Sequence, residues 1–202
     1  MATNEMTKRG RILDLAAQRG VLRYADFTPL GVSREYIRDL VYRGDLVRLG
    51  RGLFALPSYE RSENHALAEV ATYFPRATIC LISALQFHGL TTQLPPFVWI
   101  ALPNYNKAPR IPTVGVEVVH MNQIGLESGV EYHEIEGVQV PIFSVAKTVA
   151  DCFKYRSRVT TSVAIEALKD CLKQQKATRS EIIKYAKMIR MWNVLRPYME
   201  AI

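Results

Sequence analysis

The chain has 202 residues, 49% apolar and 22% charged, enough for two unequal globular domains with a sizeable core. No apolar run approaches the about 20 residues needed to cross a bilayer, and the polar start MATNEMTKRG lacks the apolar segment of a secretory signal, so a cytoplasmic protein is expected. Twenty-six Lys/Arg against nineteen Asp/Glu give a formal charge of +7, which points to an anionic partner without naming one.

That charge is unevenly spread. Residues 1–57 hold ten Lys/Arg against six Asp/Glu, 58–143 hold four against eight, and 144–202 hold twelve against five. A basic head and a basic tail therefore flank an acidic middle. Cys80, Cys152 and Cys171 are widely spaced in apolar contexts and read as buried free thiols, not as a disulfide framework or a zinc site.

In chain order, Ile12, Leu15 and Ala16 follow helical spacing over Lys8 to Arg19, and Gly20 is placed to end that helix. Tyr24 to Phe27 forms a short second helix, broken by Pro29 and Gly31. Ser33 then caps a third helix, Arg34 to Arg43. Its apolar face is Ile37, Leu40 and Val41, joined by Tyr36; the opposite face carries Arg34, Arg38 and Tyr42 at four-residue steps. Gly44 ends it. Leu46–Leu49 and Leu53–Leu56 alternate as strands around Gly50-Arg51-Gly52, with Arg51 at the tip. Helix, turn, helix and basic ribbon in this order predict a winged helix-turn-helix over residues 1–57. In such a module the third helix enters the major groove, where an arginine can bond guanine O6 and N7 in a forked geometry.

Residues 58–202 form the second predicted domain. Ser62 to Phe74 and Ala77 to His88 read as helices, stopped by Pro75 and Gly89. Phe97 to Leu102 reads as a buried strand, Pro103 to Pro112 as a loop, and Val114 to Met121 as a second strand. Tyr132–Ile135 and Val138–Val140 make a hairpin around Glu136-Gly137. A small, antiparallel-leaning sheet is thus expected over roughly 97–143. Ser144 caps a helix from Val145 to Tyr155, and further helices follow near 161–174, 179–191 and 194–201 in a basic helical part, 144–202. The fold class is α+β.

The pattern resembles the AbiEi family, the antitoxin half of AbiE toxin–antitoxin systems associated with abortive phage infection. The resemblance rests on DFTPLGVSREYIRDLVYRGDLVRLGRGLFALP in the winged helix, ISALQFHGL at 82–90, VPIFSVAKTVADCFKYR at 140–156 and the C-terminal NVLRPYMEAI. It implies a repressor of its own operon that binds DNA through the winged helix. It also implies a C-terminal domain that counteracts a toxin resembling nucleotidyltransferases. Two other classes fit the same residues: a winged-helix transcription factor without a toxin, and an adaptor whose winged helix docks the toxin directly.

The expected DNA-binding residues are Ser33, Arg34, Arg38, Tyr42, Arg48 and Arg51. Lys154, Arg156, Arg158, Lys169, Lys173 and Lys176 in the basic tail are expected to contact nucleic acid or the toxin. The partners expected are double-stranded DNA carrying an inverted repeat and the cognate toxin, with the protein a monomer or weak dimer that pairs on DNA. No cofactor, metal or catalytic residue is expected. His88 reads as a helix-end histidine. His120 and His133 near Glu117 and Glu134 match no compact ligand spacing, and the strand Val116 to His120 lacks the lysine common in metal-dependent nucleases. No glycine-rich phosphate loop, paired catalytic carboxylates or nucleophile elbow is present. Lys147 and Asp151, four apart, are placed to pair on one helix face.

Overall fold

The computed structural model describes residues 7–104, 110–111 and 113–202. In chain order the elements are α1 (Lys8–Arg19), β1 (Val21–Arg23), α2 (Tyr24–Phe27), a 3-10 turn (Thr28–Leu30), α3 (Arg34–Tyr42), β2 (Val47–Gly50), β3 (Leu53–Ala55) and α4 (His65–Tyr73). There follow β4 (Thr78–Ile79), α5 (Leu81–Phe87), β5 (Phe97–Pro103), β6 (Gly115–Met121), α6 (Gln123–Glu127), β7 (Val130–Ile135) and β8 (Val138–Phe143). The last are α7 (Val145–Lys154), α8 (Arg156–Val159), α9 (Thr161–Lys173), α10 (Arg179–Met188) and α11 (Trp192–Glu200). Most of the expected loop at 103–112 lies outside the described residues. No helix is long and apolar enough to cross a membrane among the described residues.

The chain divides into two compact units, residues 1–73 with 134–139, and residues 74–133 with 140–202. The first therefore extends past the boundary expected at residue 57 and takes in α4. It is built by local rules. Thr7 Oγ1 accepts from the Gly10 amide to start α1, and Gly20, at φ +74, ends it in a conformation that a side chain would strain. Ile12 and Ala16 of α1, Phe27 of α2, and Ile37 and Leu40 of α3 close over Leu22, Leu46 and Phe54 in one apolar core. Three strands lie in the order β1-β3-β2, both neighbours antiparallel to β3. The strand β1 is an addition to the two expected; three residues between Gly20 and α2 are too few for periodicity to show.

The second unit holds a five-stranded sheet in the order β6-β5-β4-β8-β7. Its expected antiparallel bias is corrected: β5 pairs β6 in parallel (Phe97 opposite Gly115), and β4 pairs β8 in parallel (Ile79 opposite Ile142). Only β4 with β5 and the tight β7–β8 hairpin run oppositely. The cause is β4, which lies at the start of the helix expected over 77–88. Thr78 and Ile79 are buried in mid-sheet, and an apolar run buried on both faces carries no period that separates strand from helix.

One core joins α5, α7, α9, α10 and α11 to this sheet. Within it α7 is buried from Ala146 to Phe153, so no face of it is left for solvent. Lys147 and Asp151 lie inside that core, 0% and 1% exposed, as a hydrogen-bonded ion pair. They pair as expected, and they do so in the interior. The Lys147 ammonium also sits 4.3 Å from the centre of the Phe143 ring, which supplies some of the solvation that water would have given.

Candidate nucleic-acid interface

The outer face of α3 is set by its start. Ser33 holds an extended backbone (φ −78, ψ 160), and its hydroxyl accepts from the Tyr36 amide at 3.2 Å. The Glu35 carboxyl is held below its ordinary range by its own backbone amide, then by the Ser33 side chain, with Arg38 and Arg34 adding to the effect. Behind this face Ile37 and Leu40 anchor the helix in the core. Truncating a core side chain such as Ile37 to Ala costs about 2–5 kcal/mol, enough to loosen the presentation of every residue on the outer face.

Arg34, Arg38 and Arg48 line one shallow hollow of about 230 Å³ with Tyr24, Glu35, Val41 and Phe54. Two elements distant in sequence, α3 and β2, thus contribute guanidinium groups to one surface. The Arg34 guanidinium lies 5.2 Å from the centre of the Tyr24 ring, and Tyr24 packs edge-on against Phe54, which packs against Phe27. This aromatic stack restrains Arg34 while leaving its nitrogens free to donate. Arg48 donates to the Gly50 carbonyl at 3.1 Å, which directs it along the wing. Arg9 and Arg19, by contrast, are tied to Asp45 and Asp26 in exposed ion pairs. Among the described residues no ion pair engages Arg34, Arg38 or Arg48.

Tyr42 projects from the end of α3 with 92% of its surface exposed. At the wing, Gly52 takes φ +72 and completes the turn, and the Arg51 guanidinium lies 5.9 Å from the centre of the Tyr73 ring. Tyr24 is not among the DNA-contacting residues that the sequence predicts. Its only sequence signal is an aromatic residue ten positions before Arg34, outside any single helix.

The basic tail is dispersed by the fold. Arg158 donates to the Val118 carbonyl, pairs with Glu117 and lies 5.0 Å from the Trp99 ring, while Arg156 donates to the Phe153 carbonyl. Lys176 donates to the His88 carbonyl, and Lys154 stacks on Tyr155 at 5.6 Å. Lys169 and Lys173 are exposed one turn apart on α9. His88 bonds the Phe143 carbonyl of β8 at 2.7 Å instead of its own helix end, and burial lowers its pKa, so it is neutral near pH 7. Glu117 is occupied by Arg158, His133 faces Glu131 at 3.4 Å, and no His/Cys/Asp/Glu group suited to a metal is found among the described residues.

Trihelical core, three-stranded wing and a basic outer face on α3 define a winged helix-turn-helix of the kind transcriptional regulators carry. Residues 11–57 match the family model described as transcriptional regulator, AbiEi antitoxin. That match spans the winged helix-turn-helix and shows what this module is similar to. The crystal structure of the RV2827C protein from Mycobacterium tuberculosis is similar in fold, with a TM-score of 0.55 and 16% identity over 90% of this chain and 72% of that one. No curated protein matches the chain by sequence.

Proposed function

We propose that this protein is an antitoxin that represses its own operon, with α3 in the major groove of an inverted-repeat operator and the second unit counteracting a nucleotidyltransferase-like toxin. The observation that carries the DNA reading is the meeting of Arg34, Arg38 and Arg48 around one hollow, three guanidinium groups beside the single carboxylate of Glu35 and none of them held in an ion pair among the described residues. Guanidinium groups in excess of nearby carboxylates on a packed surface are what a polyanion selects, because their pairing with phosphate or guanine replaces mainly water.

In this reading Arg38 reads a base edge, Arg34 is steered by Tyr24 toward a base or phosphate, and Ser33 keeps the start of α3 close to a phosphate. Tyr42 contacts the backbone beyond the groove, and Arg48 and Arg51 hold the flanking minor groove or phosphates. A single module of this size covers a modest interface, so two copies pair on the operator. The exposed Lys169 and Lys173 are the part of the basic tail best placed for the toxin or for nucleic acid.

A mobility-shift series with the full chain tests this on its own upstream DNA and on scrambled duplex. Arg38→Ala is expected to weaken operator binding by about 1–3 kcal/mol while leaving scrambled DNA nearly unchanged if Arg38 reads a base. Equal loss on both, with a flatter salt dependence, assigns it to phosphate. No loss on either removes α3 from the interface. Co-expression with the product of the neighbouring reading frame tests the antitoxin role, since unrescued growth ends that part of the reading.

A further inference from the structure

A cleft in the second unit, where α7 begins, is used by none of the DNA-contacting residues. Its volume is about 330 Å³, and its walls include His88, Glu131 and His133, Ser144 to Ala146, and Lys176 and Lys184. The start of α7 is unusual. Ser144 holds the N-cap position with the extended backbone that lets a serine bond the first-turn amides, yet its side chain makes no such bond. Its Oγ has essentially no surface exposed to solvent and no hydrogen-bond partner among the described residues. The sequence expectation that Ser144 caps this helix through its side chain is therefore corrected.

Its backbone amide is already committed to the Gly129 carbonyl at 2.7 Å. Nothing on the Ser144 side chain thus serves α7, and the first-turn amides that a helix leaves without intrahelical partners fall at Val145 and Ala146, which line the cleft. Across the cleft, His133 Nε2 is already faced by the Glu131 carboxylate at 3.4 Å. The Ser144 hydroxyl, left without a partner among the described residues, costs stability unless a ligand satisfies it.

The charges around the cleft define the ligand. Lys176 spends one of its hydrogens on the His88 carbonyl, and Lys184 is exposed over the Tyr185 ring. The two carboxylates in the wall have other duties: Glu181 accepts from the Thr178 amide and hydroxyl, both at 2.7 Å, and Glu131 faces His133. Neutral His88, whose Nε2 hydrogen goes to Phe143, presents Nδ1 as an acceptor.

We propose that this cleft binds a small phosphorylated ligand. Its phosphoryl group sits on the open first turn of α7, taking a hydrogen bond from Ser144 and charge from Lys176 and Lys184, while His88 accepts from a ligand hydroxyl. The volume favours a small molecule, being near the lower end of the roughly 300–1,000 Å³ typical of such sites. The site is independent of the DNA reading, since α3 and the wing contribute nothing to it.

Calorimetric titration and thermal unfolding of the full chain test it, with inorganic phosphate and ribose 5-phosphate as probes and chloride at matched ionic strength as control. Saturable binding of both phosphates is expected, ribose 5-phosphate the tighter, and the Arg34→Ala/Arg38→Ala variant should retain it. Ser144→Ala and Lys184→Glu should each weaken binding by roughly tenfold, the size of one charge-assisted hydrogen bond. Glu131→Gln should tighten it. Ser144→Asp supplies a carboxylate to the same amides, so it should raise the melting temperature without ligand and abolish the phosphate response. A response no larger than that to chloride overturns the proposal, as does phosphate binding to Ser144→Asp at wild-type strength. Binding seen only with a 5′-phosphorylated oligonucleotide rejects the small-molecule ligand.

Discussion

Replacing Lys147 by Met would remove one charge from the most deeply buried ion pair of the second unit. Asp151 would then be left 1% exposed without its counter-ion. An uncompensated carboxylate in a core costs about 3–5 kcal/mol. At about 4 °C per kcal/mol for a domain of this size, the melting temperature should fall by about 12–20 °C. Burial already lifts the Asp151 carboxyl above its ordinary range, against the opposing pull of Lys147. A carboxyl with a raised native pKa contributes most below its unfolded value and loses that contribution as pH rises through the native one. The deficit of Lys147→Met should therefore be larger at pH 8 than at pH 5. The double variant Lys147→Met/Asp151→Leu, with neither charge, should return to within about 2 kcal/mol of the native protein. Tryptophan fluorescence isolates the effect, because both tryptophans, Trp99 and Trp192, belong to the second unit. A single variant that melts within about 4 °C of the native protein at pH 8 refutes the reasoning, as does a double variant no better than the single.

Three further outcomes are expected. Ser33→Ala should cost about 1 kcal/mol of stability through the lost cap, whereas Ser33→Asp should keep the cap but weaken DNA binding by placing a carboxylate beside phosphate; urea melts and mobility shifts on both variants separate the two roles. Burial alone would raise the Glu136 carboxyl, but hydrogen bonds from His65 at 2.6 Å and from Ser62 hold it below its ordinary range. Glu136→Gln should therefore destabilise the first unit at neutral pH, and its difference from the native protein should vanish as pH falls through the native pKa, which a pH series of melts would reveal. Cys80, Cys152 and Cys171 are all buried, and burial raises each thiol pKa. A disulfide thiol reagent at pH 8 should accordingly react slowly with the native protein and label three thiols per chain after unfolding.

The winged helix was legible because its signals are local. Gly20, Ser33 and the glycines flanking Arg51 act on backbone within a few residues of themselves, and α1, α2 and α3 begin where the caps and helical spacing place them. The second unit was less legible for the opposite reason. Strand β4 has two residues, and its parallel partner β8 lies more than sixty positions away. Helix α7 was located correctly by its composition, but burial on all sides erases the polar face that would have announced its environment.

Order along the chain, the cap and turn positions, and which face of α3 carries arginine follow from the amino acids themselves, since each is decided by contacts or spacings within one or two helical turns. The gathering of Arg48 and Tyr24 beside Arg34 and Arg38, the burial of Lys147 with Asp151, and the unserved hydroxyl of Ser144 in a cleft with two lysines were decided only by tertiary packing. Those arrangements depend on which distant segments share a core. That choice is made by the summed burial of many apolar side chains, and no single residue pattern encodes it.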